Sequence, residues 1–183
     1  ARAAATAAGV PILKGIDRSV SVEEAKEFFS SLGANAGMMI KAVAGGGGRG
    51  SRAVTEELEI EETFKRCQSE ATSAFGNGEL YVEEFIQQAR HIEVQILGDK
   101  SGNIINLGER ECSVQRRYQK IVEIAPAPHL PERLRDDIIE AAERLAQSVN
   151  YSNLGTFEFL VNTNASDGGD PFSFTLGYRS SIP

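Results

Sequence analysis

Residues 45–50 contain five glycines, interrupted only by Arg49. A short apolar segment at 38–40 precedes this run, and a second strand-like segment follows it at 52–54. Because glycine lets backbone N–H groups approach anionic oxygens closely, a strand, loop and strand in this order can hold a phosphate. The order differs from the strand, loop and helix of a Walker site, and the Gly-Lys-Ser/Thr ending of that motif is absent.

Length and charge exclude several classes of protein. The 183 residues are enough for one compact domain, and 41% of them are hydrophobic, so the chain can build a core. A formal charge of −7 disfavours nucleic-acid binding by general phosphate neutralisation. No apolar stretch reaches the roughly 18 residues of a membrane span, and the two cysteines indicate neither a disulfide framework nor a zinc site. We expect a cytoplasmic protein, with the mitochondrial matrix as the alternative, that binds no membrane.

The spacing of apolar residues predicts a mixed α+β chain. Ser21 and Glu24 form a capping box at the start of a helix that Gly33 ends, Thr55 is expected to cap a helix to residue 75, and Pro131 opens another helix. Residues 90–97 alternate between apolar and polar faces, as expected of a half-buried strand. Further strands are predicted at 80–86, 104–107, 156–161 and 172–174.

Two clusters of residues could carry phosphate chemistry. Lys41, directly before the glycine run, could supply a point charge, although a surface lysine beside a flexible turn explains the pattern about as well. The segment 109–120 holds four basic residues against two acidic ones, which is typical either of phosphoryl-transfer sites or of a basic surface strip.

Three acidic positions and one histidine also have alternative interpretations. Glu83 or Glu84, at a strand end, could accept the exocyclic amine of adenine or simply be polar surface. Glu158 alternates with two phenylalanines, so it is either solvated or a magnesium ligand. His91 lies on the polar face of its predicted strand, where a hydrogen-bonded surface histidine is the simplest interpretation.

Taken together, residues 39–161, about two thirds of the chain, resemble the biotin carboxylase component of biotin-dependent carboxylases, a branch of the ATP-grasp superfamily. The segments that carry the resemblance, by their joint order and spacing, are 40–42 with the glycine run, 83–86, 90–95, 109–120, 123–128 and 155–160. The resemblance implies an α+β ATP-grasp fold truncated at both ends. It divides the chain into a linker helix at 1–12, a lid subdomain with the glycine-rich loop at 13–84, and an incomplete second half at 85–183.

The resemblance also implies ligands and site residues. The parent enzyme would use MgATP, with Mn²⁺ as an alternative metal, and bicarbonate to carboxylate biotin through carboxyphosphate. The implied nucleotide-binding residues are Lys41, Gly46, Gly47, Gly48, Glu83, Glu84, Phe85, Ile86, His91, Gln115, Tyr118, Glu158 and Leu160. Among them, Lys41 and the glycines of a mobile lid would contact phosphate, residues 83–86 adenine, and His91 and Gln115 the ribose. Lys120 would be the catalytic residue, near the γ-phosphate or bicarbonate, and Glu158 would bind the metal.

Some positions depart from the family's pattern. Tyr118 stands where histidine is frequent, and Glu84 where lysine is frequent. The family follows its last strand with Glu-x-Asn-x-Arg, whereas this chain has Leu176, which cannot ligate magnesium. We therefore expect weak ATP binding at best, and no carboxylation by this chain alone.

The expected partners belong to the parent enzyme: a biotin carboxyl carrier domain, a carboxyltransferase domain and further copies in a homo-oligomer. Two alternatives stay open. One is another ATP-grasp ligase, such as a carbamoyl-phosphate synthase, although the motif at 110–120 argues against it. The other is a non-catalytic nucleotide-sensing or assembly module that keeps the fold.

Overall fold

A computed structural model describes residues 2–33, 37–45, 50–116, 119–162 and 172–175. The elements in chain order are α1 (Arg2–Ala7), β1 (Gly15–Ile16), α2 (Val22–Ser31), β2 (Gly37–Ala42), β3 (Ser51–Val54), a 3₁₀ turn (Glu57–Glu59), α3 (Ile60–Phe75), β4 (Leu80–Phe85), β5 (Ala89–Gly98), β6 (Ile104–Arg116), β7 (Gln119–Ile124), α4 (Glu132–Ser148), β8 (Asn153–Asn162) and β9 (Phe172–Thr175). These elements fall into two compact units, one of Leu13–Gln87 and one joining residues 2–12 to the described residues from Gln88 onward. The predicted α+β class is confirmed.

The unit of Leu13–Gln87 is a four-stranded antiparallel sheet with two helices. Its strands lie in the order β1-β4-β2-β3, so β4 is hydrogen-bonded on both sides. Strands β2 and β3, which flank the glycine run as predicted, pair antiparallel, with Met38 opposite Val54 and Lys41 opposite Ser51. The buried core of this unit consists of Val20, Ala25, Met38, Ile40, Ala42, Val54, Ile60, Phe64, Cys67, Ala71, Leu80 and Val82.

The two helices of this unit begin differently from one another. The capping box of α2 is confirmed, since Glu24 N–H donates to Ser21 Oγ at 3.2 Å and Ser21 N–H donates to Glu24 Oε2 at 2.8 Å. The prediction that Thr55 caps the next helix is wrong: a 3₁₀ turn comes first, and α3 begins at Ile60 without a side-chain cap. The extended backbone of Glu56, at φ −127° and ψ 134°, separates Thr55 from the helix.

The other unit is a five-stranded antiparallel sheet with α4 against one face. Its strands lie in the order β7-β6-β5-β8-β9. Its buried core consists of Ala5, Val10, Ile92, Val94, Ile96, Ala127, Leu130, Ile138, Ala141, Ala142, Leu145, Ala146, Phe157, Phe159, Val161 and Phe172. No helix in the described part of the chain is long and apolar enough to cross a membrane.

Strand β6 is much longer than the predicted strand at 104–107. It continues to Arg116 and pairs with β5 on one side and β7 on the other. Only Cys112 and Val114 are apolar in 109–116, and two positions are too few for an alternation that would reveal the strand. This extension places most of the segment 109–120 in a β-hairpin.

Both cysteines lie in the cores and should be unreactive in the folded chain. Cys67 and Cys112 are each 0% exposed, and burial raises the pKa of each thiol to about 11. At pH 7 only about one thiol in ten thousand is then ionised, against a few per cent in an unfolded chain. We expect a disulfide exchange reagent to modify neither thiol in native buffer and both in urea. One thiol that reacts rapidly under native conditions would contradict this expectation.

Candidate functional site

Charged side chains from four strands meet on the sheet face opposite α4. The core residues Ile92 and Val94 of β5 face α4, so alternation turns His91 and Glu93 to the other face. Glu158 of β8 lies directly opposite Glu93 in the strand register. The charged cluster, as we call these residues, consists of His91, Glu93, Arg110, Gln115, Lys120, Glu123 and Glu158.

Lys120 joins the two facing carboxylates. Its Nζ lies 2.8 Å from Glu158 Oε1 and also contacts Glu93 Oε1. The Glu93 side chain is 0% exposed and that of Glu158 is 10% exposed, whereas that of Lys120 is 25% exposed. The two carboxylates are therefore the more deeply buried part of the cluster, and the ammonium group of Lys120 lies nearer solvent.

Arg110 holds Glu93 from the opposite side. Its Nε and Nη2 both donate to Glu93 Oε2, at 3.0 and 2.9 Å, and its Nη1 lies 2.9 Å from Glu123 Oε2. The charges alternate in the order Glu123, Arg110, Glu93, Lys120 and Glu158. Both oxygens of the fully buried Glu93 carboxylate thus face a cation, which is the condition for keeping such a charge inside a protein.

His91 lies at the other edge of the charged cluster. Its Nδ1 is 2.6 Å from Gln115 Nε2, and its Nε2 is 3.5 Å from Glu158 Oε2 and 3.8 Å from Glu93 Oε1. Gln115 Nε2 also donates to the Cys112 carbonyl at 2.8 Å. The imidazole is therefore fixed between an amide and two carboxylates. It is hydrogen-bonded, as the simplest interpretation had it, but its side chain is only 16% exposed.

Glu158 remains ionised despite its burial. Burial alone would raise the pKa of this carboxyl group, but the contacts with His91 and Lys120 outweigh burial and lower the pKa below its ordinary value. The solvated alternative for Glu158 is wrong. At neutral pH Glu158 therefore presents a carboxylate, a hard oxygen ligand that suits a magnesium ion which also binds phosphate oxygens.

The residues of the charged cluster fit a divalent cation. Ligand atoms of His91, Glu93 and Glu158 lie within 4.8 Å of one another. The two carboxylates already stabilise a positive charge, that of Lys120. A divalent cation that displaced this ammonium group would find the same attraction.

The sequence did not single out Glu93 or Arg110 as functional residues. The available signal was the alternation of β5, which places Glu93 on the same face as His91. Its complete burial depends on the register between β5 and β8 and on the approach of Arg110 and Lys120, which no local pattern shows.

The remaining predicted nucleotide-binding residues are not part of the charged cluster. Leu160 is half-buried and lies opposite His91 in the register of β5 and β8. Glu84, Phe85 and Ile86 are half-buried in the unit of Leu13–Gln87. The predictions for Gly46, Gly47, Gly48, Tyr118 and Leu176 fall outside the described residues.

Lys41 and Glu83 form a buried ion pair in that unit. Lys41 of β2 and Glu83 of β4 are diagonal neighbours, because Met39 is opposite Glu83 and Lys41 is opposite Tyr81. The Glu83 side chain is only 3% exposed and that of Lys41 is 17% exposed. The structure thus pairs the lysine predicted for phosphate with a carboxylate predicted for adenine.

Protein families and known proteins with similar sequences are ATP-binding domains and carboxylases. The family model described as "Carbamoyl-phosphate synthase L chain, ATP binding domain" matches residues 1–167. Mitochondrial pyruvate carboxylase of Mus musculus is 54% identical over 163 residues, which are 88% of this chain and 14% of that protein. Pyruvate carboxylase of Bacillus subtilis is 51% identical over 164 residues, which are 90% of this chain and 14% of that protein.

Solved structures show the same fold. Biotin carboxylase of Campylobacter jejuni, in a β,γ-ATP complex, has a TM-score of 0.89 at 41% identity, over 99% of this chain and 39% of that one. The biotin carboxylase domain of Hydrogenobacter thermophilus 2-oxoglutarate carboxylase, with MgADP and bicarbonate, has a TM-score of 0.87 at 39% identity, over 99% of this chain and 38% of that one.

The chain thus spans about one seventh of these curated relatives and well under half of the solved domains. The relatives reported are pyruvate carboxylases, so the alternative of a carbamoyl-phosphate synthase is not supported although the family model carries that enzyme's name. The chain belongs to the family of carbamoyl-phosphate synthase L chain ATP-binding domains, and within it corresponds to the ATP-binding part of biotin carboxylase.

Proposed function

We propose that this chain is the MgATP-binding part of a biotin carboxylase, and that its parent is an ATP-dependent ligase of the pyruvate carboxylase type. The observation that carries the proposal is the charged cluster itself. The resemblance suggested His91, Gln115, Lys120 and Glu158 one by one. In the fold these four residues form a chain of contacts, from Gln115 to His91, from His91 to Glu158 and from Glu158 to Lys120. Solved relatives with ATP-type and MgADP ligands support the choice of nucleotide.

Five residues of the cluster have a proposed task. Glu158 holds magnesium, which when bound neutralises phosphate charge. Lys120, the proposed catalytic residue, places its ammonium group toward the γ-phosphate or bicarbonate, and Glu93 keeps that group in position from below. His91, Gln115 and Leu160 contact the ribose side of the nucleotide. Catalysis of phosphoryl transfer by such a site rests on position and charge, since the protein has little covalent work to do.

The remaining site residues are proposed on the resemblance. Lys41 and the glycine-rich loop with Gly46, Gly47 and Gly48 contact phosphate, and residues 83–86 together with Tyr118 contact the nucleotide. The Glu83 carboxylate is held by Lys41, so the adenine contact falls to Glu84, Phe85 and Ile86 or to the backbone. Manganese can replace magnesium at Glu158, because both ions prefer oxygen ligands.

The parent enzyme would combine this site with other domains. It would carboxylate biotin through carboxyphosphate, take the biotin from a carboxyl carrier domain, and deliver the carboxyl group at a carboxyltransferase domain, within a homo-oligomer. The names of the relatives favour pyruvate as the final acceptor. Because the chain spans 39% of a solved biotin carboxylase, we expect no biotin carboxylation by the 183 residues alone.

A magnesium-dependent change in nucleotide affinity tests the proposal. The substitution Glu158→Gln keeps the shape of the side chain and removes its charge, so it should weaken MgATP binding about tenfold or more. Without magnesium the same substitution should have little effect, because the metal contact is then absent. Isothermal titration calorimetry of the chain with MgATP, and with ATP in EDTA, measures both values.

The matched control is Glu123→Gln, on the same sheet but with a side chain that is 43% exposed. It should bind MgATP as the unchanged chain does. The proposal fails if the folded chain shows no saturable binding of MgATP at concentrations of about 10 mM. It also fails if Glu158→Gln and Glu123→Gln have equal effects.

A further inference from the structure

The distances between His91, Glu93 and Glu158 suit a cation that prefers imidazole. A tetrahedral zinc ion with bonds of about 2.1 Å separates its ligand atoms by about 3.4 Å. His91 Nε2 lies 3.5 Å from Glu158 Oε2 and 3.8 Å from Glu93 Oε1, and ligand atoms of the three residues lie within 4.8 Å of one another, so a contraction of the cluster would place them on one ion. One nitrogen and two oxygens are also a donor set that zinc accepts, whereas magnesium prefers oxygen alone.

His91 Nε2 is buried and makes no hydrogen bond of ordinary length to the described residues. To bind a metal, this nitrogen must present its lone pair, and the ring proton must then reside on Nδ1. The protonation pattern of the imidazole therefore decides whether the three ligands can act together.

Gln115 fixes the opposite pattern. The Cys112 carbonyl can only accept a hydrogen bond, so the Gln115 atom 2.8 Å from it is the amide nitrogen. The same nitrogen lies 2.6 Å from His91 Nδ1, and it has a second hydrogen to donate and no lone pair with which to accept. Nδ1 must accept, and the proton of the neutral ring is on Nε2, where it blocks metal binding.

Lys120 is the second obstacle. Its ammonium group contacts both Glu93 and Glu158, so the two carboxylates already have a cation. An incoming metal would have to displace that ammonium group before it could bind both oxygens.

We propose that His91, Glu93 and Glu158 form a latent site for a zinc-class cation, which Gln115 and Lys120 keep closed. With the imidazole nitrogen blocked, the two carboxylates can bind only ions that do not need a histidine ligand. It does not depend on nucleotide binding, because every contact in the argument lies within one sheet and involves no phosphate.

The substitution Gln115→Met tests the device, since methionine fills a similar volume and donates no hydrogen bond. Calorimetric titration of the nucleotide-free chain with Zn²⁺ should show binding about tenfold or more tighter than for the unchanged chain, the scale on which partners of a ligating histidine act. Gln95→Met is the matched control, because Gln95 Nε2 donates to the Gly155 carbonyl at 3.0 Å in the same sheet, in a separate contact. It should leave zinc affinity unchanged.

A second measurement needs no substitution. The chain has two histidines, so ¹⁵N NMR of the side chains can identify the tautomer of His91 directly, and we expect the proton on Nε2.

A double substitution tests whether His91 is the zinc ligand. Adding His91→Asn to Gln115→Met should remove the gain in zinc affinity.

Four results would each overturn the proposal. The first is a proton on Nδ1 of His91 in the unchanged chain, and the second is equal zinc affinity of the folded Gln115→Met chain and the unchanged chain. The third is an equal gain in zinc affinity from Gln95→Met and from Gln115→Met. The fourth is a gain in zinc affinity from Gln115→Met that persists when His91→Asn is added. Failure of MgATP binding would leave all four measurements unaffected, so the two proposals can fail separately.

Discussion

The substitution Glu93→Gln is expected to lower the free energy of unfolding by about 3 kcal/mol, at the lower end of the range for breaking a buried ion pair. Glu93 is 0% exposed and contacts Arg110 on one side and Lys120 on the other. Glutamine keeps the volume but brings an NH₂ group that must face one of these cations. The side chains of Arg110 and Lys120 are 32% and 25% exposed, so water can solvate part of the charge that loses its carboxylate partner. We therefore expect a value at the lower end of the range. Urea unfolding measures the change.

Glu123→Gln is the control for this experiment as well. It removes the other carboxylate that contacts Arg110, but at a side chain that is 43% exposed. The expected loss is below about 1 kcal/mol, as for surface ion pairs. Equal losses for the two substitutions would show that the buried position of Glu93 has no special energetic role.

Local sequence signals predicted the elements of this fold better than their starting points. The capping box at Ser21 was found because both partners are three residues apart. The start of α3 was predicted wrongly. Thr55 is a residue type that often caps helices, but the backbone at Glu56 is extended. A cap depends on backbone angles as well as on residue type, and the angles at Glu56 come from the surrounding packing.

The charged cluster shows the same division between local and long-range information. Alternation along β5 placed His91 on a polar face, and the resemblance suggested Lys120 and Glu158. The pairing of Glu93 with Glu158 depends on the register of two strands about 65 positions apart in the chain. The orientation of the Gln115 amide depends on one carbonyl, that of Cys112. Contacts of this kind follow from tertiary structure and have no sequence period.

Both units place a lysine above a buried carboxylate. Lys41 lies over Glu83, and Lys120 lies over Glu93. In each pair the carboxylate is almost completely buried and the lysine is several times more exposed. A lysine on a flexible stem loses much of its freedom when such an anchor holds it, so less entropy remains to be lost when it meets an anionic ligand.

The substitution Lys120→Met is expected to reverse the pH dependence that Glu158 contributes to stability. In the unchanged chain the pKa of Glu158 is lowered, so its contribution is present above the ordinary pKa and is lost as pH falls through the lower value in the folded chain. Without Lys120, burial, which is the largest single influence on that pKa, acts together with the facing Glu93 against the remaining contact with His91, and we expect the pKa to rise above its ordinary value. The variant should then be least stable at high pH and regain stability as pH falls.

Urea unfolding at pH 8 and pH 5 measures the reversal. The destabilisation by Lys120→Met should be about 3 kcal/mol at pH 8, because two buried carboxylates lose their shared cation. It should shrink at pH 5 by about 1.4 kcal/mol for each unit by which the pKa of Glu158 in the variant lies above 5. The control is Arg144→Met, whose ion pair with Glu140 is an exposed helix contact at 3.8 Å and should give a small loss that is equal at both pH values. A destabilisation by Lys120→Met that stays constant or grows as pH falls would mean that the ammonium group does not neutralise Glu158 in the folded chain.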